Sequence, residues 1–468
     1  MPTITPGTHY DLAVIGAGQG GGPLAGAFAR AGKRVALIER SHVGGTCINE
    51  GCTPTKTMIA SARVAYVTRR SADYGVHAGD IRIDLRRVGE RKQEIVSSFR
   101  HGSESALERA GVELVRGNAR FVGERRLEVA SSDNGREITA DLVVVNTGLS
   151  PAIPPIEGLD RAPYLTSSSI MELSEVPKHL IVIGGGYVGL EFAQMFRRFG
   201  SSVTVLQREN QLLTHEDVDV ADEIKTILSD EGIRILLGVE VTGVEAQGSN
   251  LRLVYDTRDR SVTGSVTGSH LLVAAGRVPN TNDLQLAAAG VETDARGFIR
   301  VNERLETTAP GVFAIGDVNG GPAFTHVSYD DFRILRTNLL GAGGATTTGR
   351  LVPYTVFLDP QLGRIGMTER EASAAGKRIK IAKLPMTSVA RALEVDETRG
   401  FMKAIVDAES GRLLGAAVLG IEGGEIAGLL QIAMIGNLHY GVLRDGIFSH
   451  PTLAESLNNL FAAMDRSG

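Results

Sequence analysis

Residues Tyr10 to Arg40 read YDLAVIGAGQGGGPLAGAFARAGKRVALIER, and this stretch decides the fold. A short strand-like run, Asp11–Ile15, leads into Gly16, Gly18 and Gly21 in G-x-G-x-x-G spacing. An apolar-periodic helix follows, then a second strand that ends at Glu39. That order is the βαβ context the dinucleotide fingerprint requires. Glycines let the backbone approach a pyrophosphate at a helix N-terminus, and the acid at the strand end can accept from a ribose hydroxyl. The pattern returns from His179 to Glu209 as HLIVIGGGYVGLEFAQMFRRFGSSVTVLQRE, with Gly184, Gly186 and Gly189 in the same spacing. Two dinucleotide sites on one chain are predicted.

The remaining punctuation fits this plan. Ser132–Asp133–Asn134–Gly135 lies between strand-like runs and reads as a hairpin turn. Pro151 to Pro155 (PAIPP) reads as the crossing into a second domain, and Ala342 to Gly349 (AGGATTTG) as a flexible linker. After it come the strand-like runs YTVFL, FMKAIVD and LLGAAVLG, with helical patterns near Thr368–Gly376 and Glu425–Asn437. The fold class is therefore α/β: two Rossmann-like dinucleotide-binding domains and a C-terminal α+β interface domain. The expected divisions are 1–150, 151–280, 281–345 (a return to the first domain) and 350–468.

At 468 residues the chain exceeds what one hydrophobic core supports. Apolar residues make up 43 % and charged residues 22 %, an ordinary globular balance. A net charge of −5 without basic blocks gives no reason to expect nucleic acid. No apolar run approaches the roughly 18 residues of a membrane span. The opening MPTITPGTHYDLAVIG lacks a basic-then-apolar leader, so a cytoplasmic location is the expectation.

Only two cysteines occur, Cys47 and Cys52. A secreted scaffold would carry more of them, and a structural zinc site needs about four N or S ligands. A closely spaced pair in a reducing compartment reads as a redox couple. Five residues of ideal helix rise about 7.5 Å, beyond the roughly 6.8 Å between Cα atoms that a disulfide tolerates. The segment GGTCINEGCTPTKT (44–57) must therefore be distorted between the cysteines, as Asn49 and Gly51 allow. Pro54 suits a first helical turn and leaves Cys52 near a helix N-terminus, where a thiolate is stabilised.

GGTCINEGCTPTK resembles the active-site stretch of the class I pyridine nucleotide–disulfide oxidoreductases, which include dihydrolipoamide dehydrogenase, glutathione reductase and mercuric reductase. The resemblance continues in order through GGGYVGLE (184–191), AAGRVPN (274–280), VFAIGDV (312–318) and HPTLAE (450–455). It implies an oxidoreductase that passes electrons from NAD(P)H through FAD to a Cys47–Cys52 disulfide. It also assigns 1–150 and 281–345 to FAD, 151–280 to NAD(P), and 350–468 to dimerisation. By resemblance, Gly16, Gly18, Gly21, Glu39, Gly45, Thr46, Ala119, Thr147, Gly148 and Asp317 line the FAD site. Ala323, Phe324, Thr325 and His326 approach the flavin ring. Lys56 pairs with Glu191 beside the flavin, because a buried unpaired lysine is costly.

Gly184, Gly186 and Gly189 are expected to hold the nicotinamide cofactor under a gate residue, Tyr187, with Gly276 and Arg277 as further cofactor residues. NAD-preferring members place an acid where Gln207 stands, whereas Arg208 matches an arginine that binds a 2′-phosphate. NADPH is thus expected, with NADH possible. His450, oriented by Glu455, becomes the acid/base for the thiols of the other subunit, since histidine transfers protons either way near neutrality. Shared active sites imply a homodimer.

The match departs in places. Mercuric reductases usually end in a vicinal cysteine pair, which NNLFAAMDRSG lacks, and glutathione reductases place a substrate arginine where Gly26 stands. The segments 322–335, 354–357 and 445–461 are most similar to mercuric-reductase-like flavoproteins without extra cysteines, a group that includes a copper-reducing flavoprotein of reactive-chlorine resistance. A thiophilic metal ion, Cu(II) or Hg(II), is the expected acceptor. A small disulfide, or dihydrolipoamide as donor, is the alternative. A non-enzymatic redox sensor or binding flavoprotein is the competing class, and sustained NADPH consumption discriminates against it.

Overall fold

The computed structural model describes residues 5–130 and 135–466. The chain divides into two compact units. Unit 1 comprises Met1–Met58, Arg86–Ala152 and Gly276–Arg350; unit 2 comprises Ile59–Leu85, Ile153–Ala275 and Leu351–Gly468.

Unit 1 is built on a seven-stranded sheet. At its centre β1 (Thr5–Ile15) lies parallel to β2 (Val35–Glu39) on one side and to the strand Gly135–Val145 on the other. α1 (Gly21–Arg30) crosses between β1 and β2, as the fingerprint predicts. Where both faces are covered the central strands run apolar without interruption, at Leu12–Ile15, Val35–Ile38 and Leu142–Val145. Leu12 and Val14 pack with Leu24 and Phe28 of α1, and with Phe332 and Leu335 of the helix Thr325–Leu340. Ala13 and Ile15 point to the opposite face, among Phe121, Leu127, Ile138 and Val143. The antiparallel strands Arg126–Ala130 and Asn118–Gly123 extend the sheet, and Val312–Ala314 returns to pair with Gly135–Val145. The expected turn at Ser132–Asn134 lies outside the described residues; its flanking strands pair antiparallel, Ala130 opposite Gly135.

Unit 2 contains the second copy. Its five strands are parallel, in the order Ile233–Leu237, Ser202–Gln207, His179–Ile183, His270–Val273 and Tyr164–Leu165, with the helix Tyr187–Phe199 after the glycines. A three-stranded antiparallel sheet spans Val239–Gly268. The C-terminal part is a five-stranded antiparallel sheet carrying the runs foreseen as strands, now Tyr354–Val356, Phe401–Asp407 and Leu413–Gly420. Its helices include Glu369–Ala374 and Gly423–Ile435, where helical periodicity was read. Within unit 2, buried Arg198 binds the carboxylates of Glu231 and Asp359 and lies 3.9 Å over the Tyr66 ring. These contacts satisfy a guanidinium that would otherwise be costly to bury. No helix among the described residues is long and apolar enough to cross a membrane.

Candidate functional site

After β2 the chain forms a short helix, α2 (Gly45–Asn49), in unit 1, and then, past a break at Glu50 and Gly51, α3 (Cys52–Arg69), of which the first residues up to Met58 belong to that unit. This is the distortion that the cysteine spacing requires. Asn49 holds the break: its Nδ2 donates to the carbonyls of Val43 (3.0 Å) and Gly45 (2.9 Å), and its Oδ1 accepts from Arg100 Nε (2.9 Å). Both cysteines are thiols here, Cys47 partly buried and Cys52 exposed. A hydrogen bond with Cys52, burial and the Cys52 charge together push the Cys47 thiol far above the usual range; Thr325 and the Lys56 ammonium pull the other way. Cys52 Sγ lies 3.5 Å from Thr325 Oγ1. The two thiols therefore titrate as a coupled pair, and one of them stays protonated when the other ionises.

The first fingerprint packs as its glycines demand. Gly16 has φ +101, and a Cβ there would stand 2.4 Å from the Asn146 carbonyl oxygen; on Gly21 it would stand 2.3 Å from the Gly16 oxygen. Gly45 starts α2 against this loop, its ideal Cβ 2.8 Å from the Gly18 Cα. Thr46 follows it within α2. The Glu39 carboxylate accepts the backbone N–H of Ala17 (2.9 Å) and of Ser41 (2.8 Å), so it braces the loop itself.

Ala119 is buried in its strand opposite Val129. Asp317 is half-buried in the turn Gly316–Asn319, and desolvation raises its carboxyl above the usual range against the pull of Arg277. Ala323 and Phe324 lead into the helix begun by Thr325, with the Phe324 and His326 rings stacked at 5.3 Å.

These residues fit FAD on two counts. Thr147 Oγ1 is buried with no hydrogen-bond partner among the described residues. Gly148 has φ +63 with open space where a side chain would stand. Both features present polar backbone and hydroxyl groups to a ligand.

The second fingerprint repeats the logic in unit 2. A Cβ on Gly184 would meet the Ala274 oxygen at 2.4 Å, and one on Gly189 the Gly184 oxygen at 2.3 Å. Gly186 has nothing within 4 Å of an ideal Cβ, so protein packing does not require its glycine. The open space beside it leaves room for a ligand's backbone, and in this the turn fits a nicotinamide dinucleotide. Tyr187 opens the helix and is exposed. Gln207 Oε1 accepts from the Gly185 N–H (2.9 Å), whereas the exposed Arg208 contacts its neighbour Glu209 (3.2 Å). Gly276 and Arg277 belong to unit 1, where Arg277 Nη2 donates to the Leu149 carbonyl (2.9 Å). Glu191 of unit 2 accepts from the Phe357 N–H (2.8 Å). His450, also in unit 2, lies 2.8 Å through Nδ1 from Glu455 Oε2, the orientation expected of an acid/base histidine.

Sequence reasoning missed Asn146, Asp331 and Arg350. Asn146 carried a signal: it is the one polar residue closing the apolar run LVVVN, directly before Thr147–Gly148. Asp331 and Arg350, an ion pair within unit 1, carried none.

Residues 10–331 match the model of the pyridine nucleotide-disulphide oxidoreductases, and 352–461 that of their dimerisation domain. The chain is 39 % identical over 458 residues to the probable pyridine nucleotide-disulfide oxidoreductase RclA of Escherichia coli, covering 97 % of this chain and 99 % of that one. It is 34 % identical to a mercuric reductase of Staphylococcus aureus (98 % and 83 % covered). A dihydrolipoyl dehydrogenase of Thermus scotoductus is 35 % identical (98 % of both). Among solved structures, the Cu(II) complex of the HOCl-induced flavoprotein disulfide reductase RclA from Escherichia coli superposes with a TM-score of 0.89 at 38 % identity (97 % and 99 % covered).

Proposed function

Because the chain belongs to the pyridine nucleotide-disulphide oxidoreductase family, whose members use FAD and a pyridine nucleotide, we propose that it is an NADPH-dependent reductase of a thiophilic metal ion, Cu(II) or Hg(II). The observation that carries this reading is the pair of free thiols on either side of the break at Glu50 and Gly51, Cys47 partly buried and Cys52 exposed with its Sγ 3.5 Å from Thr325 Oγ1. The match over 97 % of the chain to a flavoprotein disulfide reductase solved as a Cu(II) complex supports the metal as acceptor.

FAD, when bound, accepts two electrons from the nicotinamide and passes them on to a disulfide. The chain's own residues do the rest. Gly184, Gly186 and Gly189 admit the dinucleotide backbone, and Arg208 offers a cation to a 2′-phosphate. Lys56 and Glu191 act as a charge pair at the flavin. Cys47 and Cys52 are soft ligands suited to Cu(I) and Hg(II). Their conversion from dithiol to disulfide releases two electrons and two protons, which balances two Cu(II) to two Cu(I), or one Hg(II) to Hg(0). His450, held by Glu455, takes the thiol proton from the cysteine pair of the second subunit. The segment division proposed is FAD for 1–150 and 281–345, NAD(P) for 151–280 and dimerisation for 350–468.

The test is NADPH oxidation by the purified protein with Cu(II), Hg(II), lipoamide and glutathione disulfide in parallel. Turnover with a metal ion that Cys47→Ser abolishes, while NADPH still bleaches the flavin, is expected. Preference for lipoamide would make the chain a dihydrolipoamide-type enzyme. Full metal turnover in Cys47→Ser would end the thiol-relay reading.

A further inference from the structure

Asn146 follows the buried strand Gly135–Val145 and is itself buried. Its side-chain amide makes two hydrogen bonds to backbone on opposite sides. Oδ1 accepts from the N–H of Gly21 (2.9 Å), and Nδ2 donates to the carbonyl of Ile315 (2.8 Å). Gly21 is the third fingerprint glycine and the first residue of α1; Ile315 stands two residues before Asp317.

Four glycines converge on this one residue. An ideal Cβ on Gly16 would lie 2.4 Å from its carbonyl oxygen, on Gly18 2.7 Å and on Gly21 3.0 Å from its Oδ1, and on Gly316 2.9 Å from its Nδ2. Both backbone segments are stripped of side chains where they meet the amide. Asp331 completes the arrangement from the Asp317 side. Its Oδ2 accepts from the Gly316 N–H (2.7 Å), and its carboxylate is held by Arg350.

We infer that Asn146 is a positioning residue: its amide locks the first glycine fingerprint to the Asp317 segment and so sets how tightly this chain retains FAD. The inference rests on the reading of unit 1 as the FAD domain. The amide offers an acceptor and a donor on two separate atoms, so one rotamer bonds both segments at once. An apolar isostere leaves the Gly21 N–H and the Ile315 carbonyl buried without partners, each a costly loss. Aspartate keeps the acceptor toward Gly21 but sets a carboxylate oxygen against the Ile315 carbonyl. The strands on either side stay paired through their own ladders, Val14 with Val144 and Ala314 with Val145. The cost therefore falls on the register of the two ligand-facing segments more than on the sheet.

The experiment follows release of FAD from purified holoenzyme by free-flavin fluorescence, beside the melting temperature. Asn146→Leu is expected to weaken FAD retention by about ten- to hundredfold, and Asn146→Asp by less. Leu127→Ala, in the same unit's core but away from the glycines, serves as control; it should lower the melting temperature without comparable flavin loss. Asn146→Ser, a gentler loss of one bond, is the readout should Asn146→Leu fail to fold. Flavin release from the Asn146 variants that equals wild type, or that tracks melting temperature as in Leu127→Ala, overturns the inference. A wild-type protein purified without any flavin would instead overturn the FAD reading beneath it.

Discussion

Glu216 is buried in unit 2 with the Tyr354 hydroxyl donating to its carboxylate and Arg364 Nη1 3.9 Å away. Asp217 and Glu371 add negative charge around it, and its Oε2 has no hydrogen-bond partner among the described residues. Burial pushes its carboxyl above the usual range, with Arg364 and Tyr354 opposing. A carboxyl whose folded pKa exceeds its unfolded value, about 4.3, stabilises the fold fully below that value. The contribution is lost as pH rises through the folded pKa. Glu216→Gln mimics the protonated side chain and cannot ionise. Its melting temperature should match wild type below about pH 4 and exceed it at pH 8, by about 2–4 °C for each kcal/mol relieved. A gap that stays constant with pH, followed by calorimetry, would show that Glu216 does not titrate in this range. Nothing in the segment THEDVD marks this carboxylate, because its burial is made by Tyr354 and Arg364, well over a hundred residues away. Cys47, Cys52 and His450 stood out in the sequence because the chemistry proposed for them demands rare residue types in short motifs.

At the scale of elements, the two strand–glycine–helix units separate packing from binding. Gly189 must lack a side chain so that its helix can close on the Gly184 oxygen, at 2.3 Å from an ideal Cβ. Gly186, on the same turn, faces open space at φ −81, a backbone any residue adopts. Gly186→Ala should therefore leave the melting temperature within about 1 °C and FAD content unchanged. On the proposed cofactor site its methyl group would meet the dinucleotide backbone, so the KM for NADPH should rise at least about tenfold. Unchanged NADPH kinetics would place the cofactor elsewhere. The fingerprints could be read from sequence because glycine requirements are local and backbone-borne. The clasp made by Asn146 could not, since its partners Gly21 and Ile315 come from opposite ends of unit 1's sequence. The intercysteine break was legible from a disulfide's reach, but Arg100, which fastens Asn49 there, sits fifty-one residues on in an otherwise ordinary surface helix.

For the whole molecule, the helix Gly423–Ile435 poses the remaining question. Ile426, Ala427, Leu430 and Ala433 bury one face in the C-terminal core, yet Leu429, Ile432 and Ile435 are exposed on another, with Val442 and Ile447 exposed beyond it. A helix apolar on two faces needs a second partner, and a contiguous exposed apolar surface marks an interaction site. The surface lies within the matched dimerisation domain, so a second copy of the chain is the partner it fits. Ile432→Arg would bury one uncompensated guanidinium per subunit, at about 3–5 kcal/mol each. Across a twofold interface that weakens association on the order of 10⁴-fold or more. Light scattering should then report a monomer near 50 kDa where wild type is twice that, the chain mass being 49.6 kDa. The consequence for chemistry follows from His450. If it serves the cysteine pair of the second subunit, the monomer should keep its FAD and still be bleached by NADPH, since unit 1 and the second fingerprint belong to a single chain. It should lose turnover with every acceptor, because His450 of a second chain is no longer beside the thiols. A monomeric Ile432→Arg that retained wild-type turnover would show that each chain carries a complete site, and His450 would then need another role.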